Sequence, residues 1–310
     1  MSAPSAQATL IEDRGEAATD DQFFRSPQFL AAEGATHTLR IETGAGGLLA
    51  PLIVREIEGT GERDATSPYG YPGFRGTLEG LDPDSIDWTA TGLVSVFVRH
   101  ALDRSPLAGA SERNVVQIAD PKLSPKSRPS DRRQVRRNLE AGYLVEIVPG
   151  DETSGEQRAG FLEAYEQTMR RTGAAPHYFF GAGYFDRVLT AAGTWLAIAS
   201  APGGDLAAAS IATVSDDYLH YYLSGSADAH LRDSPMKNVV ARLVEHAADL
   251  GLPLNLGGGI AAGDALEEFK RGFANRQLAW TTSELICDPE RYTQLAAGRE
   301  DSSYFPAYRG

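Results

Sequence analysis

One stretch, residues 218–273, constrains the fold more than any other. It begins Tyr218-Leu-His-Tyr-Tyr-Leu-Ser-Gly-Ser226, whose alternation and tyrosine content predict a strand. A helix follows, with Val239, Val240, Leu243, Val244, Ala247 and Leu250 on one side. Ser234 suits its N-cap, Pro235 its first turn and Gly251 its stop. A second strand, Leu254-Asn-Leu-Gly-Gly-Gly259, runs into three glycines. The short helix after it presents Phe269 and Lys270 in Glu268-Phe-Lys-Arg-Gly-Phe273. Strand, helix, strand and a cationic side chain in that order build a cleft beside a sheet.

The chain before this stretch reads as two halves. Ser26 and Pro27 predict the start of a first helix. Residues 39–41 and 48–57 read as a strand pair separated by Gly44-Ala-Gly-Gly47, and residues 93–99 and 115–118 as further strands. Ser67-Pro-Tyr-Gly-Tyr-Pro-Gly-Phe74 fits neither a central strand nor a helix. It is either a loop packed by its own tyrosines or a rigid aromatic wall of a cleft. The Pro- and Ser-rich residues 121–130 mark the expected domain boundary. Beyond it come helices over 131–141, 160–171 and 184–192. A strand over 143–148, a meander over 195–200, 206–214 and 218–224, and a last strand over 278–286 complete the half.

At 310 residues with a net charge of −13, the chain is long enough for two domains and too acidic to coat nucleic acid wholesale. The exception is residues 122–137, where Lys122, Lys126, Arg128, Arg132, Arg133, Arg136 and Arg137 meet only Asp131. No run of about 18 apolar residues is present, so no membrane span is expected. Residues 1–21 have neither a basic start nor an apolar centre, and an unstructured leader is expected there. Cys287 is the only cysteine, which excludes an internal disulfide and suits a cytoplasmic protein. No His, Cys or carboxylate cluster has metal-ligand spacing, and no metal or cofactor is expected.

The order of these elements resembles the GNAT acyltransferase superfamily, and more narrowly the Fem-type aminoacyl-transferases and the BioF2-like acetyltransferase-domain proteins. The resemblance is carried by Arg133-Gln-Val-Arg-Arg-Asn-Leu-Glu-Ala-Gly142, Thr168-x-x-Arg171, Tyr221-Tyr-Leu-Ser-Gly-Ser226, Ser234-Pro235, Leu256-Gly-Gly-Gly259 and Phe269-Lys270 with Gly272-Phe273. It implies a mixed α/β (α+β) fold of two GNAT-like domains, each a twisted, largely antiparallel mixed sheet flanked by helices. The first domain, residues 22–125, would be shortened; the second would span 126–290, with a tail over 291–310 packing back on the body. The implied activity is transfer of an aminoacyl group from aminoacyl-tRNA to the amine of a peptide-type acceptor, as in peptidoglycan or antibiotic biosynthesis. Lack of the long coiled-coil insertion found in some members favours a soluble amine or small peptide. Two alternatives stand beside this: an N-acyltransferase using acyl-CoA or a carrier-protein thioester, and a non-catalytic module of the same fold.

The resemblance also assigns residues. Lys270, with Phe269 beside it, occupies the position of the lysine that steadies the tetrahedral intermediate. Arg171 occupies the position that contacts the acceptor's anionic part, and a guanidinium suits phosphate or carboxylate. Tyr178, His177, Tyr221, Tyr222, Ser224, Tyr69 and Tyr71 are expected to line the acceptor cleft. Arg132, Arg133, Arg136, Arg137 and Lys237 are expected to meet the tRNA. His177 and His220 are the candidate bases, because an unperturbed imidazole titrates near neutrality. One departure bears on the acyl source. GNAT enzymes seat the CoA diphosphate on a glycine-rich turn with free backbone N–H groups. Here that turn reads Ala227-Asp-Ala-His-Leu-Arg-Asp233, without glycine and with two acids.

Overall fold

The computed structural model describes residues 6–261, 263–299 and 301–310. Contacts divide the chain into two units: Met1–Arg113 with Trp280–Gly310, and Asn114–Ala279. The division falls at residue 113, not in the Pro/Ser-rich segment, and the chain returns to the first unit at Trp280. Composition does not reveal this return, because strand pairing between residues far apart in sequence creates it.

Unit 1 begins with β1 (Ala6–Ile11), α1 (Pro27–Glu33), β2 (His37–Thr43), β3 (Gly46–Glu56), β4 (Arg63–Thr66), β5 (Arg75–Gly76), β6 (Ile86–Asp87) and β7 (Ser95–Arg99). Ser26 caps α1 by accepting the Phe29 amide at 3.2 Å, with Pro27 next to it, as the sequence predicts. β1 lies antiparallel to β2 and parallel to β6. The strand corrects the expectation of an unstructured leader: Ala6 and Ala8 alternate into the core beside Leu39, Ile41 and Leu48. Residues 1–5 of that leader lie outside the described residues. β2, β3 and β4 are successive antiparallel neighbours, and β4 runs parallel to β7.

The chain continues through β8 (Ser111–Ala119), α2 (Pro129–Glu140), β9 (Leu144–Pro149), α3 (Gly155–Thr172), α4 (Ala182–Leu189), β10 (Thr194–Ser200), β11 (Leu206–Ser215), β12 (Tyr218–Ser226), α5 (Met236–Leu250), β13 (Leu254–Gly257) and α6 (Ala265–Arg271). In unit 2, β9 to β12 form an antiparallel meander, β12 runs parallel to β13, and β13 runs antiparallel to β8. Val239, Val240, Leu243 and Ala247 of α5 cover one face, on Ala197, Ala208, Ala212 and Leu254. The other face takes α3, so close to β12 that a Cβ on Gly225 would sit 2.4 Å from the Tyr165 nitrogen. α3 begins at Gly155, earlier than residue 160, because Ser154 and Gln157 form a capping box. Pro235, not Ser234, is the N-cap of α5, and Ser234 turns the chain with φ 50°.

The chain then completes unit 1. β14 (Arg276–Ile286) pairs with β7 from Thr282↔Arg99 to Ile286↔Ser95, and α7 (Pro289–Ala296) follows. Near the C-terminus Tyr308 is buried, its hydroxyl 2.8 Å from Ser95 Oγ, and Arg309 meets Asp64. No helix among the described residues is long and apolar enough to cross a membrane.

Candidate active site

Lys270 lies on the last turn of α6, only 8% exposed. Its Nζ donates to the Gly258 carbonyl oxygen at 2.7 Å, joining the helix to the glycine run after β13. Burial pulls the ammonium down to about 8, against a smaller upward pull from the Asp264 carboxylate. Lys270 is therefore a cation at neutral pH that gives up its proton easily. An ammonium has three donors, and among the described residues Gly258 occupies one. Phe269 packs against the α5 core with its ring 5.7 Å from that of Phe273, so it seats the helix.

Next to this lysine the sheet opens. β12 and β13 are neighbours only at Leu219↔Leu254 and His220↔Asn255, although β12 runs on to Ser226. No other strand among the described residues takes up that edge of β12. The two strands thus diverge into a wedge. The register slips between Ile211 and Ala212, so Tyr222 is the extra residue of a bulge. The bulge puts Tyr221 and Ser224 on one face, where the Tyr221 hydroxyl donates to Ser224 Oγ at 2.6 Å. Burial pushes that phenol up to about 12. The Tyr222 hydroxyl instead sits 2.6 Å from that of Tyr184 on α4, whose ring stacks on Phe180 at 4.1 Å. Tyr184 and Phe180 were not singled out from the sequence; their partner across the bulge is 38 residues away.

His220 is buried between Ser215 and Asn255. Nε2 donates to the Ser215 carbonyl at 3.0 Å, and Nδ1 accepts from Asn255 Nδ2 at 3.0 Å. These partners fix the neutral Nε2–H tautomer, and burial drops the pKa to about 4. The ring latches β12 to β13 where the wedge begins. His177 is exposed, its ring 4.1 Å from Tyr178, whose carbonyl accepts the Tyr165 hydroxyl at 2.7 Å.

Arg171, at the C-terminal end of α3, is paired with Asp228 and donates to Thr168 Oγ1 at 3.0 Å. This fastens α3 to residues 227–233. At the entry to that turn the amides are bonded: Ser226 N donates to Thr168 Oγ1 at 2.9 Å, Ala227 N to the Ala207 carbonyl at 3.0 Å, and Asp228 N to Gln167 Oε1 at 2.7 Å. At its far end Asp233 Oδ2 accepts the Tyr143 hydroxyl at 2.7 Å. The entry to the turn thus presents carboxylates and bonded amides, and free backbone N–H groups are what a helix-start anion site requires.

Arg132, Arg133, Arg136 and Arg137 are exposed along α2. Arg136 pairs loosely with Glu140 at 3.7 Å, and Arg128 pairs with Glu268 at 2.7 Å. Lys237 differs from the rest: its Nζ lies 2.9 Å from the buried Asp131, so its charge holds α5 to α2. Tyr69 and Tyr71 belong to unit 1, where the Tyr71 ring lies 5.5 Å from Phe24 and 5.4 Å from Trp280, and the Tyr69 amide donates to Glu33 at 2.8 Å. A cavity of about 300 Å³, also in unit 1, is lined by Glu284, Tyr292, Tyr304 and Phe305 among others, and by none of the site residues expected from the sequence. Among the described residues no group of three or more His, Cys, Asp or Glu is arranged to hold a metal.

Residues 125–271 match the family model described as acetyltransferase (GNAT) domain. Among solved structures, FemX superposes with a TM-score of 0.63 at 11% identity, covering 92% of this chain and 99% of that chain. L-PGS from Bacillus licheniformis gives 0.53 at 12%, covering 83% and 86%. The C-terminal domain of a putative lysylphosphatidylglycerol synthetase from Agrobacterium fabrum gives 0.53 at 12%, covering 90% and 92%. No curated protein sequence matches the chain. The matched segment identifies residues 125–271 as a GNAT acetyltransferase domain. Over nearly its whole length the chain has the fold of FemX.

Proposed function

We propose that the protein moves an aminoacyl group from aminoacyl-tRNA to the amine of a peptide-type acceptor. The observation that supports this reading is the turn at residues 227–233, where the Ala227 and Asp228 amides are bonded and the carboxylates of Asp228 and Asp233 would oppose a diphosphate. The GNAT match supports acyl transfer, and this turn speaks against CoA as the acyl source. The C-terminal domain of a putative lysylphosphatidylglycerol synthetase has a like fold, and the product in that name carries a lysyl group.

In this reading the neutral acceptor amine attacks the ester carbonyl that joins the amino acid to the tRNA ribose. The new C–N bond forms and the C–O bond to ribose breaks. The proton lost by the amine goes to the departing ribose hydroxyl, since no base on the protein is required for it. Lys270 meets the oxyanion as charge develops there, using donors that Gly258 leaves open. Arg171, Tyr178, His177, Tyr222 and Ser224 supply acceptor contacts. Arg132, Arg133, Arg136 and Arg137 form the basic face for the tRNA, the main cationic strip on a chain of net charge −13.

The test combines charged tRNA with an amine acceptor and measures amide formation before and after RNase. Abolition by RNase is the expected result. RNase-insensitive product with acetyl-CoA or a carrier-protein thioester would establish the second reading, which the GNAT match itself favours. On the expected outcome, charge removal at Arg133 and Arg136 weakens tRNA binding and lowers its salt slope by about one for each phosphate no longer neutralised.

A further inference from the structure

The glycine run after β13 is gripped from two directions. From β8, Asn114 Nδ2 donates to the Gly259 carbonyl at 2.9 Å. From the start of α6, Asp264 collects backbone amides: Glu267 N at 2.7 Å on Oδ1, and Ile260 N at 2.6 Å and Ala261 N at 2.9 Å on Oδ2. Capping the helix needs only the first of these. The other two fold the loop. The grip is tight enough to demand glycine. A Cβ on Gly258 would stand 2.4 Å from Asn114 Nδ2, and one on Gly259 would stand 2.5 Å from Asp264 Oδ1. The carbonyl held between these two clamps is the one that receives Lys270.

We propose that Asn114 and Asp264 are positioning residues for Lys270, clamping residues 258–261 so that the Gly258 carbonyl fixes where the ammonium points. The proposal rests on Lys270 acting as the oxyanion donor. Glycines left unclamped would sample many backbone conformations, and the lysine would follow them. A misplacement of about 1 Å is enough to lose roughly a hundredfold in rate. Other charges around the helix are already engaged: Glu267 and Glu268 with Arg271, Glu268 also with Arg128, and Asp131 with Lys237. Asp264 is thus the carboxylate whose field Lys270 feels.

The experiment uses the full chain and competitive modification with acetic anhydride, read at Lys270 by mass spectrometry between about pH 6 and pH 10. Asp264→Asn keeps a capping side chain and removes the charge. Its expected profile is displaced to lower pH, with modification at pH 7 about threefold faster. Asn114→Ala leaves α6 uncut and frees the Gly259 carbonyl. It is expected to lower kcat for acyl transfer about tenfold with KM unchanged, and to alter Lys270 labelling. Circular dichroism confirms that each variant is folded. Unchanged labelling in both folded variants overturns the clamp, whatever the activity. Altered labelling in a protein that transfers no acyl group from any source would leave the clamp standing and remove the proposed reaction.

Discussion

The ammonium of Lys270 donates to the Gly258 carbonyl at 2.7 Å, and the lysine is nearly buried while it does so. A buried cation is costly unless something holds it. Here one backbone dipole and the Asp264 carboxylate hold it only in part, which is why its pKa falls to about 8. An incompletely satisfied cation is suited to an oxyanion that forms only during reaction. It also leaves a measurable cost in the resting protein.

Replacing Lys270 by Met keeps the length of the side chain and removes the charge. Transfer should fall about a hundredfold to a thousandfold, the usual loss of one oxyanion donor. Stability should move the other way. The folded pKa, about 8, lies below the ordinary 10.5, so between those values the unfolded chain holds more protons than the folded one. Wild-type stability therefore rises with pH across that window, by up to about 3 kcal/mol, and the cost is fully present below it. Lys270→Met should be more stable at pH 7 and should lack the alkaline rise. Denaturant melts at pH 7 and pH 10 check both, and a variant less stable at pH 7 contradicts the account.

Much of unit 2 was legible because its signals are local. The alternation at 218–226 and the stripe Val239, Val240, Leu243, Ala247 need no partner to be recognised. Lys270 was legible only through motif order, since a lysine on a short helix carries no signal of burial. Asn114 was not legible: its bond to Gly259 spans 145 residues. Asp264 did leave a trace, an acid three residues before Glu267 at a helix start, but that pattern announces a cap and not a loop clamp. The bulge at Tyr222 is a register event, visible only once β11 is paired. β1 escaped because alanine and glutamine are weak strand formers, and pairing with β2 overrides that preference.

Arg171 and Asp228 form a pair at the head of the turn proposed above to disfavour a CoA diphosphate. Titration calorimetry with acetyl-CoA should show no saturable heat at micromolar ligand. Asp228→Ala removes one carboxylate and releases Arg171, yet the Ser226 and Ala227 amides stay bonded to Thr168 and Ala207. The variant should therefore gain little, less than about tenfold in affinity, because most of the obstacle is missing N–H donors. Tight acetyl-CoA binding by the wild type would show that these hydrogen bonds yield to the ligand.

His220 makes the site sensitive to acid. Its ring is neutral, with Nε2–H on Ser215 and Nδ1 receiving Asn255, and its pKa has dropped from 6.5 to about 4 because of burial. A second proton would have to go on Nδ1, against the Asn255 amide. The unfolded chain takes that proton near pH 6.5. The contribution is therefore fully present above pH 6.5 and is lost as pH falls toward 4, by up to about 3 kcal/mol. His100, buried in unit 1 and also lowered to about 4, adds a loss of the same sign. His220→Gln should remove part of the slope, so its Tm should fall less than that of the wild type between pH 7 and about 4.5. Because His220 joins β12 to β13 where they begin to diverge, the wild type should also lose transfer activity below about pH 6, ahead of global unfolding. The comparison of activity with far-UV dichroism along the same pH series tests this: coincident curves would mean that the latch has no local role.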